Sequence, residues 1–155
     1  MAKICLTRFT DKTLSENTEW KIKNNISGCI YGTPVTIDST IYPEENLIVI
    51  EMNNSQNKII GIGLIKNKLF NKRCNIYSDQ NYNRYIYKSD YHITIDKLNI
   101  YQKQIIEVLE FLLFKGRSNY KRGHGIQQMP RYIKNLKNID IVKFFNELHL
   151  LNNNK

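Results

Sequence analysis

Leu47-Ile48-Val49-Ile50-Glu51-Met52, Asn53-Asn54-Ser55-Gln56-Asn57 and Lys58-Ile59-Ile60-Gly61-Ile62-Gly63-Leu64-Ile65-Lys66 follow one another without a break. An apolar run, a polar turn and a second apolar run of strand length predict an antiparallel hairpin. Side chains alternate across a strand, so Ile60, Ile62 and Leu64 are expected on one face, with Gly61 and Gly63 on the other. A face of bare glycine lets another backbone or a ligand approach closely, or lets the sheet bend; bending is the expected use.

On the N-terminal side, Lys3 to Phe9 reads as an opening strand. Thr13 with Glu16 forms a capping-box pattern, so a short helix is expected over about residues 14 to 24. Residues 27 to 46, with Gly28, Gly32, Pro34, Pro43 and Asn46, predict irregular chain holding short strands at most. On the C-terminal side, Arg84 to Lys88 and Tyr91 to Ile95 read as strands around Ser89-Asp90. A helix then runs from a cap at Asn99 through Ile105, Val108, Leu109 and Leu112 to a stop at Gly116. A last helix begins near Asp140, with Ile141, Phe144, Phe145 and Leu148 at helical spacing, and frays into an Asn-rich tail at 151–155. The order predicts an α+β fold in one domain over residues 1–150: a small curved, mainly antiparallel sheet or β-barrel flanked by helices.

The composition narrows the function classes. Cys5, Cys29 and Cys74 stand far apart, without C-x-x-C or Cys/His zinc spacing, so neither a disulfide framework nor a metal is expected. No run reaches the length of a membrane span, and the expected setting is the reducing cytoplasm. Lys and Arg number 23 against 14 Asp and Glu, a formal charge of +9 that favours an anionic partner. His92, His124 and His149 lie in no catalytic motif, and Gly61-Ile62-Gly63 is only half of a dinucleotide fingerprint. No enzyme activity and no cofactor are expected.

Two constellations fit nucleic acid. Lys115, Arg117, Lys121 and Arg122 crowd a loop that also holds Gly116, Gly123 and Gly125, a pattern suited to phosphate contact through charge and exposed N–H groups. The same loop also reads as a solvated segment after a helix. Tyr85 and Tyr87 share a strand face, with Arg84, Ile86 and Lys88 on the other and further aromatics at Tyr77, Tyr82 and Tyr91, and such interleaving suits base stacking as well as core packing. Trp20, the sole tryptophan, reads either as a core anchor or as a wall for a flat ligand.

Ile48 to Ser55 followed by Ile59 to Ile65 resembles the central hairpin of YTH and EVE domains, in which a strand ends in an Asn-x-Ser turn and returns through a glycine-containing strand. Ile22 to Ile26 and Cys29-Ile30-Tyr31-Gly32-Thr33 resemble the helix end and following strand of those domains. The resemblance spans roughly residues 3 to 115 and implies a PUA-like barrel. It implies RNA as partner, single-stranded rather than duplex, with a modified base or an mRNA end in an aromatic pocket. That pocket would be lined by Ile30, Tyr31, Asn53, Ser55, Tyr85, Tyr87 and Trp20. Tyr31 and Tyr85 would stack, Asn53 or Ser55 would bond a base edge, and Lys115, Arg117, Lys121 and Arg122 would hold phosphates. The sequence departs from the family where the cage tryptophan belongs: Tyr31 or Ser27 stands there, and no tryptophan follows the hairpin. The alternative expectation is a protein-interaction module docking a partner, or a second copy, through Phe144 and Phe145 of the last helix.

Overall fold

The computed structural model describes residues 2–116 and 120–153. β1 (Lys3–Phe9) is followed by α1 (Asp11–Lys23), β2 (Cys29–Thr33), β3 (Asn46–Asn53) and β4 (Lys58–Lys66). A 3-10 turn at Gln80–Asn83 precedes β5 (Tyr85–Ser89) and β6 (Tyr91–Thr94). Then come α2 (Ile100–Glu110), which continues as a π-helical turn over Phe111–Lys115, the two-residue β7 (Gln127–Gln128), α3 (Arg131–Lys134) and α4 (Ile141–Asn153). The fold is therefore α+β. Among the described residues no helix is long and apolar enough to cross a membrane.

The hairpin forms as expected, β3 against β4, and anchors a five-stranded sheet in the order β6-β4-β3-β1-β7. Only β1 and β3 run parallel; every other pairing in this sheet is antiparallel. β2 and β5 make a separate antiparallel pair, so the strands around Ser89-Asp90 do not pair with each other. β5 joins β2, and β6 joins β4. The sheet is open, not a closed barrel.

Register corrects one expectation about the hairpin. Glu51 faces Gly61 but Met52 faces Ile59, so Ile60 is the extra residue of a bulge. Ile59 therefore takes the place beside Ile62 and Leu64, and Ile60 turns to the opposite cluster.

Each face of the sheet has its own core. Leu6, Ile48, Ile50, Met52 and Ile62 pack against α2 and α4 through Ile106, Leu109, Leu113 and Phe145. On the other face Cys5, Phe9, Leu47, Val49 and Ile65 pack against Ile30, Tyr31, Ile86 and Tyr87 of the β2–β5 pair. Leu14 and Trp20 of α1 join this second cluster, so Trp20 is a half-buried core anchor.

The helix starts are set by local hydrogen bonds. At α2 the expected Asn99 cap forms: Gln102 N donates to Asn99 Oδ1 at 2.8 Å, and Asn99 N donates to Gln102 Oε1 at 2.9 Å. At α1 the cap lies three residues upstream of the expected one. Thr10 Oγ1 accepts from Thr13 N, and Thr13 Oγ1 accepts from Thr10 N. Thr13 thus fills the position usually held by Glu, which leaves the Glu16 carboxylate to accept from Ser78 N at 2.7 Å. α4 begins after Asp140 as expected and continues through 151–153, which the sequence assigned to the tail; residues 154 and 155 lie outside the described residues.

Candidate functional site

The glycine face of β4 is used for close approach. A Cβ on Gly63 would stand 2.0 Å from the Tyr31 hydroxyl, and one on Gly61 would stand 2.6 Å from Glu51 Oε1. Into this space the β2–β5 pair lowers Tyr31, whose hydroxyl donates to Glu51 Oε2 at 2.6 Å. His92 Nε2 reaches the same carboxylate from β6, 2.9 Å from Oε1. A carboxylate buried without partners would be strongly destabilising; two partners make it tolerable. Burial above all, followed by the neighbouring Cys29 and Glu51, holds the Tyr31 phenol well above its ordinary pKa, so it stays a donor. Burial likewise pushes the Cys29 thiol up to about 12. Neither group is a nucleophile at neutral pH.

Tyr31 also lines a cleft of about 220 Å³ that opens between β1, β2 and the loop 120–125. Pockets for drug-sized ligands occupy roughly 300 to 1,000 Å³, so this cleft is of a size for a smaller group. Its aromatic residues are Phe9, Tyr31, Tyr77 and Tyr82, of which Tyr82 is exposed and meets Tyr77 edge-on at 6.2 Å. Its nitrogen-bearing side chains are Arg8, Lys121, His124 and Asn54, and no carboxylate stands among the described lining residues. Arg8 is half-buried, and burial lowers its pKa from the ordinary guanidinium value. It remains charged.

Loop contacts close one end of the cleft. Arg8 Nε donates to Tyr120 O at 2.6 Å, Arg8 Nη1 donates to Gln127 Oε1 at 2.9 Å, and Asn54 Nδ2 donates to Lys121 O at 2.7 Å. Gly123, at φ 148°, lies where a Cβ would stand 2.8 Å from Arg8 Nη1. The loop glycine therefore brings the backbone onto the protein's own guanidinium. Asn54 Oδ1 is buried beside the cleft and accepts no hydrogen bond from any described residue, an uncommon state for a native polar atom.

The expected site residues are dispersed by the fold. Tyr31 is in the cleft but only 1% exposed, so it forms the floor and offers no open ring face. Tyr87 lies opposite Tyr31 on the paired strand and is buried, its hydroxyl accepting from Ile37 N at 3.0 Å. Tyr85 faces a different groove. The expected opposite wall of Tyr85 or Tyr87 is thus replaced by Tyr77 and Tyr82. Ile30 is core, and its carbonyl accepts from Asn17 Nδ2 at 2.8 Å.

Asn53 is buried and committed: Oδ1 accepts from Ser55 N and Gln56 N, and Nδ2 donates to Asp11 Oδ1. Ser55 Oγ accepts from Asp11 N at 2.9 Å. Both residues tie the hairpin turn to the start of α1 instead of facing a base. Of the expected phosphate ligands, Lys121 lines the cleft, whereas Lys115 and Arg122 are exposed outside its lining. Arg117 lies outside the described residues. Phe144 and Phe145 are core, meeting edge-on at 5.0 Å, so they are not a docking surface.

Arg8, Asn54 and His124 line the cleft outside the expected pocket, whereas Tyr77 and Tyr82 come from the further aromatics expected near the Tyr85 strand and were not expected as pocket walls. Arg8 carried a signal, being a charge set next to Phe9 at the end of a strand whose middle, Ile4-Cys5-Leu6, is apolar. Compared with known proteins, the chain matches no family model, no curated protein and no solved structure.

Proposed function

We propose that the chain is a single-stranded RNA-binding module of PUA-like, YTH/EVE type that places one unstacked base in the cleft beside Tyr82. The phosphates flanking that base would lie on Arg8 and Lys121. The observation that carries this reading is the cleft itself, where aromatic rings and cationic side chains converge with no carboxylate among the described lining residues. Stacking on an aromatic ring favours any base, and cations hold the backbone. Asn54 Oδ1 adds an acceptor for which a base amine is a suitable donor.

The reading is one of binding without a chemical step or cofactor. Cys5, Cys29 and Cys74 are free thiols, which suits a reducing cytoplasm. In a PUA-like arrangement, the β2–β5 pair packed on the five-stranded sheet would take the part of the barrel's second wall.

The test is binding of an oligoribonucleotide by fluorescence anisotropy, with thermal melting measured in parallel. Tyr82→Ala is expected to weaken binding by about 1 to 3 kcal/mol without lowering Tm. Lys121→Glu is expected to reduce the slope of log affinity against log salt by roughly 0.7, the value for one phosphate of a single strand. Unchanged binding in both variants would remove the cleft from the interface. Equal affinity for the matching deoxyribo-oligonucleotide would restrict the reading to nucleic acid in general, because the 2′-hydroxyl is what distinguishes RNA.

A further inference from the structure

A second cationic surface lies on the far side of the 3-10 turn Gln80–Asn83. It is a groove of about 650 Å³ between the segment 69–73 and β5. Lys72, Arg73 and Arg84 line it, are exposed, and form no ion pair with any described residue. No carboxylate stands among its described lining residues. Two aromatic rings complete it, Tyr85 with the Arg84 guanidinium 5.6 Å from its centroid, and Phe70 with Lys88 Nζ at the same distance. Three unpaired cations beside aromatic rings form an electrostatic track with stacking positions, the combination that single-stranded nucleic acid requires.

The turn joins this groove to the cleft. Tyr82 faces the cleft, whereas Gln80 and Asn83 of the same turn, and Arg84 just after it, line the groove. The turn is a fixed ridge: Asn83 Oδ1 accepts from Ile76 N and Tyr77 N, and Asn83 Nδ2 donates to Tyr77 O at 2.8 Å.

We propose that the groove holds the sugar-phosphate backbone of a single-stranded RNA that crosses the Gln80–Asn83 turn after leaving a base in the cleft. The proposal rests on the cleft reading for the strand's path, though not for the charge of the groove. It makes the binding site several nucleotides long, and a short ligand would occupy only the cleft.

The experiment compares an oligouridylate of about ten nucleotides with one of about two, lengths chosen to span the groove or to miss it. The variant is the triple charge reversal Lys72→Glu, Arg73→Glu and Arg84→Glu, all at exposed positions, with Tm recorded for each protein. The expected result is a loss of about tenfold or more in affinity for the long strand and a fall of roughly 2 in its log-log salt slope, with the short strand changed less than about twofold. Unchanged affinity and slope for the long strand would overturn the proposal, as would equally tight binding of the matching RNA duplex. A third pattern separates the two readings. If the triple variant weakens the long strand while Tyr82→Ala and Lys121→Glu weaken neither strand, the groove binds RNA and the cleft does not. The shared path over the turn is then overturned.

Discussion

The two faces of the five-stranded sheet are built from the same strands but filled with different chemistry. The cluster under α2 and α4 is built mainly of aliphatic, aromatic and methionine side chains, with the buried Asn146 of α4 accepting from Ala2 N and Glu110 of α2 accepting from Ile59 N. The face under the β2–β5 pair holds three thiols, the buried tyrosines 31, 77 and 87, and the Tyr31–Glu51–His92 contact. The first face is closed by helices whose backbones satisfy their own hydrogen bonds. The second is closed by a two-stranded pair and by loops, which need side-chain partners such as Asn17 and Asn83. Polar groups and an opening accumulate where closure is made by irregular chain, and the candidate site is at that end.

The largest expected effect breaks the helix-covered face. Phe145 is fully buried there, and Phe145→Ala should lower stability by about 3 to 5 kcal/mol in urea unfolding. A loss below about 1 kcal/mol would mean that α4 is not a structural wall of this core.

Next in size is the polar face. Glu51→Ala leaves the buried Tyr31 hydroxyl without its acceptor and is expected to lower stability by about 1 to 3 kcal/mol. Glu51→Gln retains an acceptor and should recover most of that loss. If Ala and Gln destabilise equally, the carboxylate charge, rather than the hydrogen bond, holds the layers together.

The same contrast has a pH signature. Burial pushes the Cys5 and Cys29 thiols up to about 12, and burial also pushes Tyr77 to about 12. A folded-state pKa raised above its unfolded value stabilises the fold fully below the unfolded pKa and loses that contribution as pH climbs to the folded one. Stability should therefore fall between about pH 9 and pH 12 for the thiols. Unfolding midpoints across that range check the expectation, with Trp20 fluorescence reporting on the polar-face cluster. A flat profile would show that these groups are not enclosed.

What could be read from the sequence was local. The hairpin, the opening strand, the Asn99 cap and the start of α4 all follow from neighbours in the chain. The α1 cap was misplaced because Thr13 served as the reciprocal partner of Thr10, a role for which Glu16 is the more familiar residue type. The bulge at Ile60 was hidden because either isoleucine of Ile59-Ile60 suits either face.

The site was harder to read. Tyr31 was placed in the cleft by its strand, but its exposure depends on Gly63, whose strand β2 does not pair with. Asn53 and Ser55 have the residue types of base-reading groups, and the approach of Asp11 committed both. Arg8 meets Tyr120 and Gln127 only through the final packing of the chain, which no local pattern encodes.

The smallest effect tests why β4 carries glycine beneath Tyr31. Tyr31→Phe alone removes one hydrogen bond and should lower stability by about 0.5 to 1.5 kcal/mol. Gly63→Ala alone adds a Cβ 2.0 Å from the Tyr31 hydroxyl, and overpacking of this kind costs about 1 to 3 kcal/mol. Were the positions independent, the double variant would lose the sum of the two. They are not independent, because Tyr31→Phe deletes the atom that the new methyl strikes. The ring carbon Cζ and Cys29 Sγ then remain as the nearest atoms, both at 2.9 Å. Relief is therefore partial, and the double variant should be more stable than the sum by about 0.5 kcal/mol or more. Strict additivity would mean that Gly63 is kept for sheet curvature, and that the close approach of the β2–β5 pair does not depend on a bare glycine face.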